Sequence, residues 1–150
     1  MQDMKLGPDN DRRLAGRIQS QTRRGAELKH KRILIIEDEA LQALNLAMMV
    51  RSFGAEVAGI ATSTQAALAE IAVTQFDCAT LDLKLHGFFS LGMAKGLRDM
   101  NIPFVVITAH GEVVSDFLDV PVLQKPIADE ALADALLRAM RRPRARKDED

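Results

Sequence analysis

Cysteine is almost absent from this sequence, aromatic residues make up only 4%, and no long apolar run occurs in its 150 residues. With Cys78 alone, neither an internal disulfide nor a cysteine metal site can form, and its place in a strand-like pattern marks it as a core residue. No stretch is apolar enough to span a bilayer. The start, MQDMKLGPDN, lacks the apolar region of a signal peptide, so a cytoplasmic protein is expected. There is no internal repeat and no low-complexity tract. The phosphate-loop pattern GxxxxGK[ST] is missing, which excludes a P-loop nucleotide enzyme. The length suits one domain, and 47% hydrophobic residues are ample for its core.

Charge is nearly balanced overall but unevenly placed. Residues 1–32 hold nine Lys/Arg against four Asp/Glu, residues 33–137 five against fourteen, and residues 138–150 six against three. An acidic centre therefore lies between basic ends. Such ends can meet nucleic acid, lie against the acidic centre or simply stay solvated. Neither end contains an aromatic residue, which argues against single-strand binding by stacking. Nucleic-acid binding by these ends would be steeply salt-dependent, with a slope that falls when residues 1–30 are removed.

Residues 1–30 read as a basic N-terminal arm, mobile or marginally helical, with Leu14 and Ile18 one helical turn apart. From there strands and helices alternate. RILII, AEVAGIA, FDCATLDL, IPFVVIT and a short PVLQ have strand character. EDEALQALNLAMMVRSFG, STQAALAEIAVTQ, SLGMAKGLRDMN and IADEALADALLRAM have helical character, with Gly54 placed to stop the first and Ser63-Thr64 to cap the second. Alternation on short connections predicts a doubly wound, five-stranded parallel α/β sheet, and in such sheets ligands bind beyond the carboxyl ends of the strands.

Those strand ends are polar. The first runs into Glu37-Asp38, the third ends at Asp82, the fourth at Thr108, and the fifth runs into Lys125-Pro126. Three carboxylates, a hydroxyl and an ammonium are thus expected in one shallow pocket. Carboxylates so crowded repel unless a cation compensates, and an all-oxygen site with few protein ligands suits Mg²⁺. One carboxylate could act as nucleophile toward a phosphoryl group, with Lys125 and Thr108 binding the phosphoryl oxygens. Phosphatases that form an aspartyl phosphate want a second Asp two residues after the first, where Lys84 stands. A flavodoxin would need a hydroxyl-rich loop in place of EDEALQ.

The segments ILIIEDEA, TLDLKLHG, FVVITAHGE and VLQKPI together resemble the receiver domain of two-component response regulators, over about residues 31–141. The resemblance implies a flavodoxin-like strand order 2-1-3-4-5 and a phosphorelay role. It makes Asp82 the phosphoacceptor, Glu37 and Asp38 the acidic pair that holds Mg²⁺ with Asp82, and the Lys84 carbonyl a further metal contact. Thr108 becomes the switch hydroxyl and Lys125 a phosphoryl contact, followed by a Pro126 that is usually cis. Lys84 and His110 stand at positions that tune dephosphorylation in the family, or are ordinary loop residues. The implied partner is a histidine kinase or histidine phosphotransfer protein.

Two departures stand out. Sixteen residues separate Thr108 from Lys125, which leaves room for only a short or disordered fourth helix. That spacing resembles an alphaproteobacterial subgroup linked to HWE-type kinases, although Val106-Ile107-Thr108-Ala109 stands where the subgroup has Phe-Ala-Thr-Gly. Val122 replaces the usual switch aromatic, so an order–disorder change in residues 110–120 is the expected output. Residues 142–150 read as a charged tail, and no output domain is expected. In the first helix Leu41, Leu44 and Met48 repeat at core spacing. Leu46, Met49 and Phe53 form a second stripe, read as the face for a kinase, a homodimer contact or cover for the arm. A phosphate sink, whose own dephosphorylation is the function, is the alternative to a signalling module.

Overall fold

The computed structural model describes residues 7–85, 88–109 and 119–141. Its centre is a parallel sheet of five strands, β1 (Arg32–Ile36), β2 (Glu56–Ala61), β3 (Cys78–Asp82), β6 (Phe104–Thr108) and β7 (Val122–Gln124). They lie in the order β2-β1-β3-β6-β7, which is 2-1-3-4-5 when only these five are counted. β1, β3 and β6 are apolar along nearly their whole length because both faces are covered. On one face Ile33, Ile35, Cys78, Val105 and Ile107 meet helices α2 (Ala40–Ser52) and α5 (Asp129–Arg141). On the other, Leu34, Ile36, Ala79, Leu81 and Val106 meet α3 (Thr64–Val73) and α4 (Leu91–Asp99).

Local signals explain the element ends. The Ser63 hydroxyl accepts a hydrogen bond from the Ala66 amide at 3.0 Å and caps α3. Gly54 ends α2 with φ +80°, a left-handed conformation that costs glycine little. A two-residue antiparallel pair, β4 (Lys84–Leu85) with β5 (Phe88–Phe89), follows β3. The Lys125–Pro126 peptide is cis.

Before the sheet comes α1 (Pro8–Leu28), with Pro at its first turn and Asp9 and Asp11 beside its N-terminus. Its last turns lie along α5. Arg24 pairs with Asp134 at 2.6 Å, Gln21 donates to Glu130 at 3.2 Å, and Arg141 pairs with Glu27. Leu28, at its C-terminus, is fully buried in the core cluster of α2 and α5. Residues 7–23 are exposed, so most of α1 projects from the body. The tail, residues 142–150, lies outside the described residues.

The two stripes of α2 are the reverse of the sequence expectation. Leu46 and Met49 are buried and Phe53 is half-buried against the core, whereas Leu41, Leu44 and Met48 are 82%, 52% and 62% exposed. The reason is the alanines. Ala43, Leu46, Ala47 and Val50 recur at one-turn spacing, and the two small side chains let that face lie close to the sheet. Counting only large apolar residues favours the wrong face.

Candidate functional site

The sheet brings the polar strand ends to one edge. Glu37 follows β1, its backbone fixed by an amide hydrogen bond to the Ala61 carbonyl at 3.0 Å. Asp82 is the last residue of β3 and pairs in register with Ile107, which places Thr108 just beyond it. The Lys125 amide donates to the Thr108 carbonyl at 2.9 Å, so Lys125 enters the pocket from the end of β7. Glu37, Asp82 and Thr108 are buried, while Asp38 and Lys125 are half-buried.

Within this pocket the Lys125 ammonium donates to Asp82 Oδ2 at 2.8 Å and lies 3.7 Å from Glu37 Oε2. Asp82 Oδ1 accepts from the Lys84 amide at 2.8 Å. Burial pushes the Glu37 carboxyl well above the usual carboxylate range, and the nearby Asp82 adds to this. For Lys125, burial favours the neutral amine. The hydrogen bond to Asp82 and the charges of Asp82, Glu37 and Glu39 outweigh it and hold the pKa above its ordinary value.

Glu37, Asp38 and Asp82 each offer an oxygen, and these atoms lie within 4.8 Å of one another. Glu37 Oε2 is buried with no hydrogen-bond partner among the described residues, so an acceptor already out of water faces the carboxylate cluster. An all-oxygen donor set with one orphaned acceptor fits a hard divalent cation such as Mg²⁺.

Glu37, Asp38, Asp82, Lys84, Thr108 and Lys125 are therefore brought together, whereas His110 and nearly all of the expected switch segment 110–120 lie outside the described residues. Leu46 and Met49 are buried and Phe53 is half-buried against the core, so this stripe packs inward instead of presenting a partner face. Two contributors escaped the sequence reading. The buried Ser90 hydroxyl donates to the carbonyls of Asp82 and Leu83 at 2.9 and 3.0 Å, which ties down the chain just after the carboxylate. Gln42, in the first turn of α2, accepts from Lys125. In the sequence Ser90 is only the first residue of the helical segment SLGMAKGLRDMN, and nothing marks Gln42.

A doubly wound parallel sheet thus carries an acidic pair, an aspartate, a hydroxyl and a lysine followed by a cis proline at its strand ends. The chain belongs to the response regulator receiver domain family, whose pattern matches residues 33–137. SdrG from Sphingomonas melonis Fr1 is 35% identical; the match covers 74% of this chain and 97% of SdrG, with a TM-score of 0.65. PhyR from Brucella abortus is 29% identical, with 83% of this chain and 54% of PhyR covered and a TM-score of 0.67. Nodulation protein W of Bradyrhizobium diazoefficiens is 29% identical over 123 residues, 77% of this chain. The matched part spans 54% of that relative's length. The family supports a role in phosphorylation-based signalling. No helix among the described residues is long and apolar enough to cross a membrane.

Proposed function

We propose that the chain is a cytoplasmic phosphorelay receiver in which Asp82 takes a phosphoryl group from a histidine kinase or histidine phosphotransfer protein. The observation that carries this reading is the contact of Asp82 with Lys125 at 2.8 Å, beside a buried Glu37 oxygen that lacks a hydrogen-bond partner among the described residues. Glu37, Asp38, Asp82 and the Lys84 carbonyl would hold Mg²⁺, which offsets negative charge between the carboxylates and the incoming phosphoryl group.

In the transfer, a carboxylate oxygen of Asp82 bonds to phosphorus as the phosphorus–nitrogen bond of the donor phosphohistidine breaks. The bonding electrons leave with the imidazole. Lys125 and the Thr108 hydroxyl bind the phosphoryl oxygens and stabilise the charge spread over them. The Lys84 amide and the Ser90 hydrogen bonds keep the carboxylate and its strand end in place.

The exposed stripe Leu41, Leu44 and Met48 begins one helical turn after the acidic pair and is the docking face for a helix of the phosphodonor. It takes over the role that the sequence reading gave to Leu46, Met49 and Phe53. The spacing between Thr108 and Lys125 supports membership of the short-helix subgroup, with residues 110–120 as the switch segment. Lys84 and His110 tune how long the phosphoryl group survives.

The test is intact mass of wild type and Asp82→Ala after incubation with acetyl phosphate and Mg²⁺. One added phosphoryl group is expected in wild type alone, and its slow decay with a state-dependent partner marks a switch. Fast decay without such a partner marks a phosphate sink. An adduct that persists in Asp82→Ala would overturn the assignment of the acceptor. So would no adduct from either acetyl phosphate or a phosphorylated phosphotransfer protein.

A further inference from the structure

We propose that Gln42 is a positioning residue for phosphoryl transfer, a neutral tether that keeps the Lys125 ammonium aimed at the acceptor when Asp82 gives up its charge. The inference rests on the phosphoacceptor role of Asp82 and assigns a part to a pocket residue to which that reading gives none.

Gln42 lies on the first turn of α2, and both ends of its amide are engaged. Its Oε1 accepts from Lys125 Nζ, and its Nε2 donates to Glu39 Oε2 at 2.6 Å. The orientation of the amide follows from these neighbours. Turning it over would set an NH₂ group against an ammonium and a carbonyl against a carboxylate, two repulsive contacts in place of two hydrogen bonds. The Glu39 amide in turn donates to Glu37 Oε1 at 3.1 Å, so the tether is anchored in the segment that carries the acidic pair.

An ammonium has three donors. One goes to Asp82 Oδ2 and one to Gln42, while Glu37 Oε2, at 3.7 Å, is beyond hydrogen-bonding distance. Once Asp82 carries a phosphoryl group, its carboxylate charge is gone and Lys125 must turn to a phosphoryl oxygen. Asp82 then no longer holds the lysine, but Gln42 still does. A neutral acceptor suits this task. A carboxylate at position 42 would compete with the phosphoryl oxygens for the ammonium and repel the incoming dianion. Without any acceptor there, the flexible lysine stem samples rotamers that point away from phosphorus, which lowers transition-state stabilisation.

The experiment uses the full chain as wild type and Gln42→Met, which keeps the length of the side chain and removes the acceptor. Initial rates of phosphorylation by acetyl phosphate are read by intact mass at saturating Mg²⁺, with Mg²⁺ affinity from calorimetry and melting temperature alongside. Exchange of the Lys125 ammonium protons with water is followed by nitrogen-detected NMR. Expected for Gln42→Met are a rate lower by about fivefold to tenfold, faster exchange at Lys125, and unchanged Mg²⁺ affinity and melting. A rate within about twofold of wild type, or a loss matched by an equal loss of Mg²⁺ affinity, overturns the proposal. Gln42→Ala, which adds no bulk, replaces the methionine variant if that one melts early, and the same criteria apply. A wild type that forms no Asp82 adduct refutes the proposed function and this role with it. A wild type and a Gln42 variant phosphorylated equally fast refute the role of Gln42 alone.

Discussion

Replacing Leu28 by alanine tests whether α1 belongs to the folded body. Leu28 is fully buried against the α2–α5 core, although it lies before the boundary at residue 31 suggested by the sequence. Truncating such a leucine removes its transfer free energy and leaves a cavity, together costing about 3 kcal/mol. For a chain of this size that lowers the melting temperature by roughly 6–12 °C. Arg24→Ala is the comparator. Arg24 and Asp134 form a close pair, but their side chains are 24% and 49% exposed, so water screens the charges and the loss should stay below about 1 kcal/mol. The assay is thermal unfolding followed by far-ultraviolet circular dichroism, since the chain has no tryptophan to report by fluorescence. A chain beginning at residue 31 should lose about as much as Leu28→Ala. Equal effects of Leu28→Ala and Arg24→Ala, or a Leu28→Ala loss below about 1 kcal/mol, would refute the claim that apolar burial anchors α1.

Thr80→Val should stabilise the fold by about 1 kcal/mol, because the buried Thr80 hydroxyl has no partner among the described residues and valine has the same shape; denaturant unfolding reads the sign. Cys78, whose thiol burial pushes up to about 12, should resist a thiol reagent in the native chain and react once per chain when denatured. Its folded pKa lies above its unfolded value, so its contribution to stability is full below about pH 8.5 and falls as the pH climbs toward 12. Denaturant midpoints across that window check the sign against Cys78→Ala, which should remove the thiol's part of the slope. Met48→Asp should slow phosphorylation by a phosphotransfer protein by about tenfold or more, well beyond its effect with acetyl phosphate; paired rate measurements with the two donors decide.

Much of the chemistry was legible because parallel strands of one sheet end on one edge. Glu37, Asp38, Asp82, Thr108 and Lys125 sit at those ends in sequence order, and the alternation of strands and helices fixes the edge without knowledge of any contact. The paired face of α2 was not legible. Leu46 and Leu44 are the same residue type two positions apart, and only packing against the sheet, favoured by Ala43 and Ala47, decides that one is buried and the other exposed.

Gln42 shows the limit from the other side. Its amide is indistinguishable in sequence from any surface glutamine, and it becomes part of the pocket only because the first turn of α2 stands beside the end of β7. Leu28 belongs to the core for a similar reason: the arm is polar along most of its length, and a single leucine at its end gives no periodic signal. The sequence by itself determined the α/β class, the order of the polar strand ends and the oxygen-rich character of the pocket, since these follow from local pattern and chain direction. Tertiary structure alone decided which face of α2 is buried, which glutamine holds the lysine and how α1 is pinned, since each depends on side chains distant in sequence meeting in space.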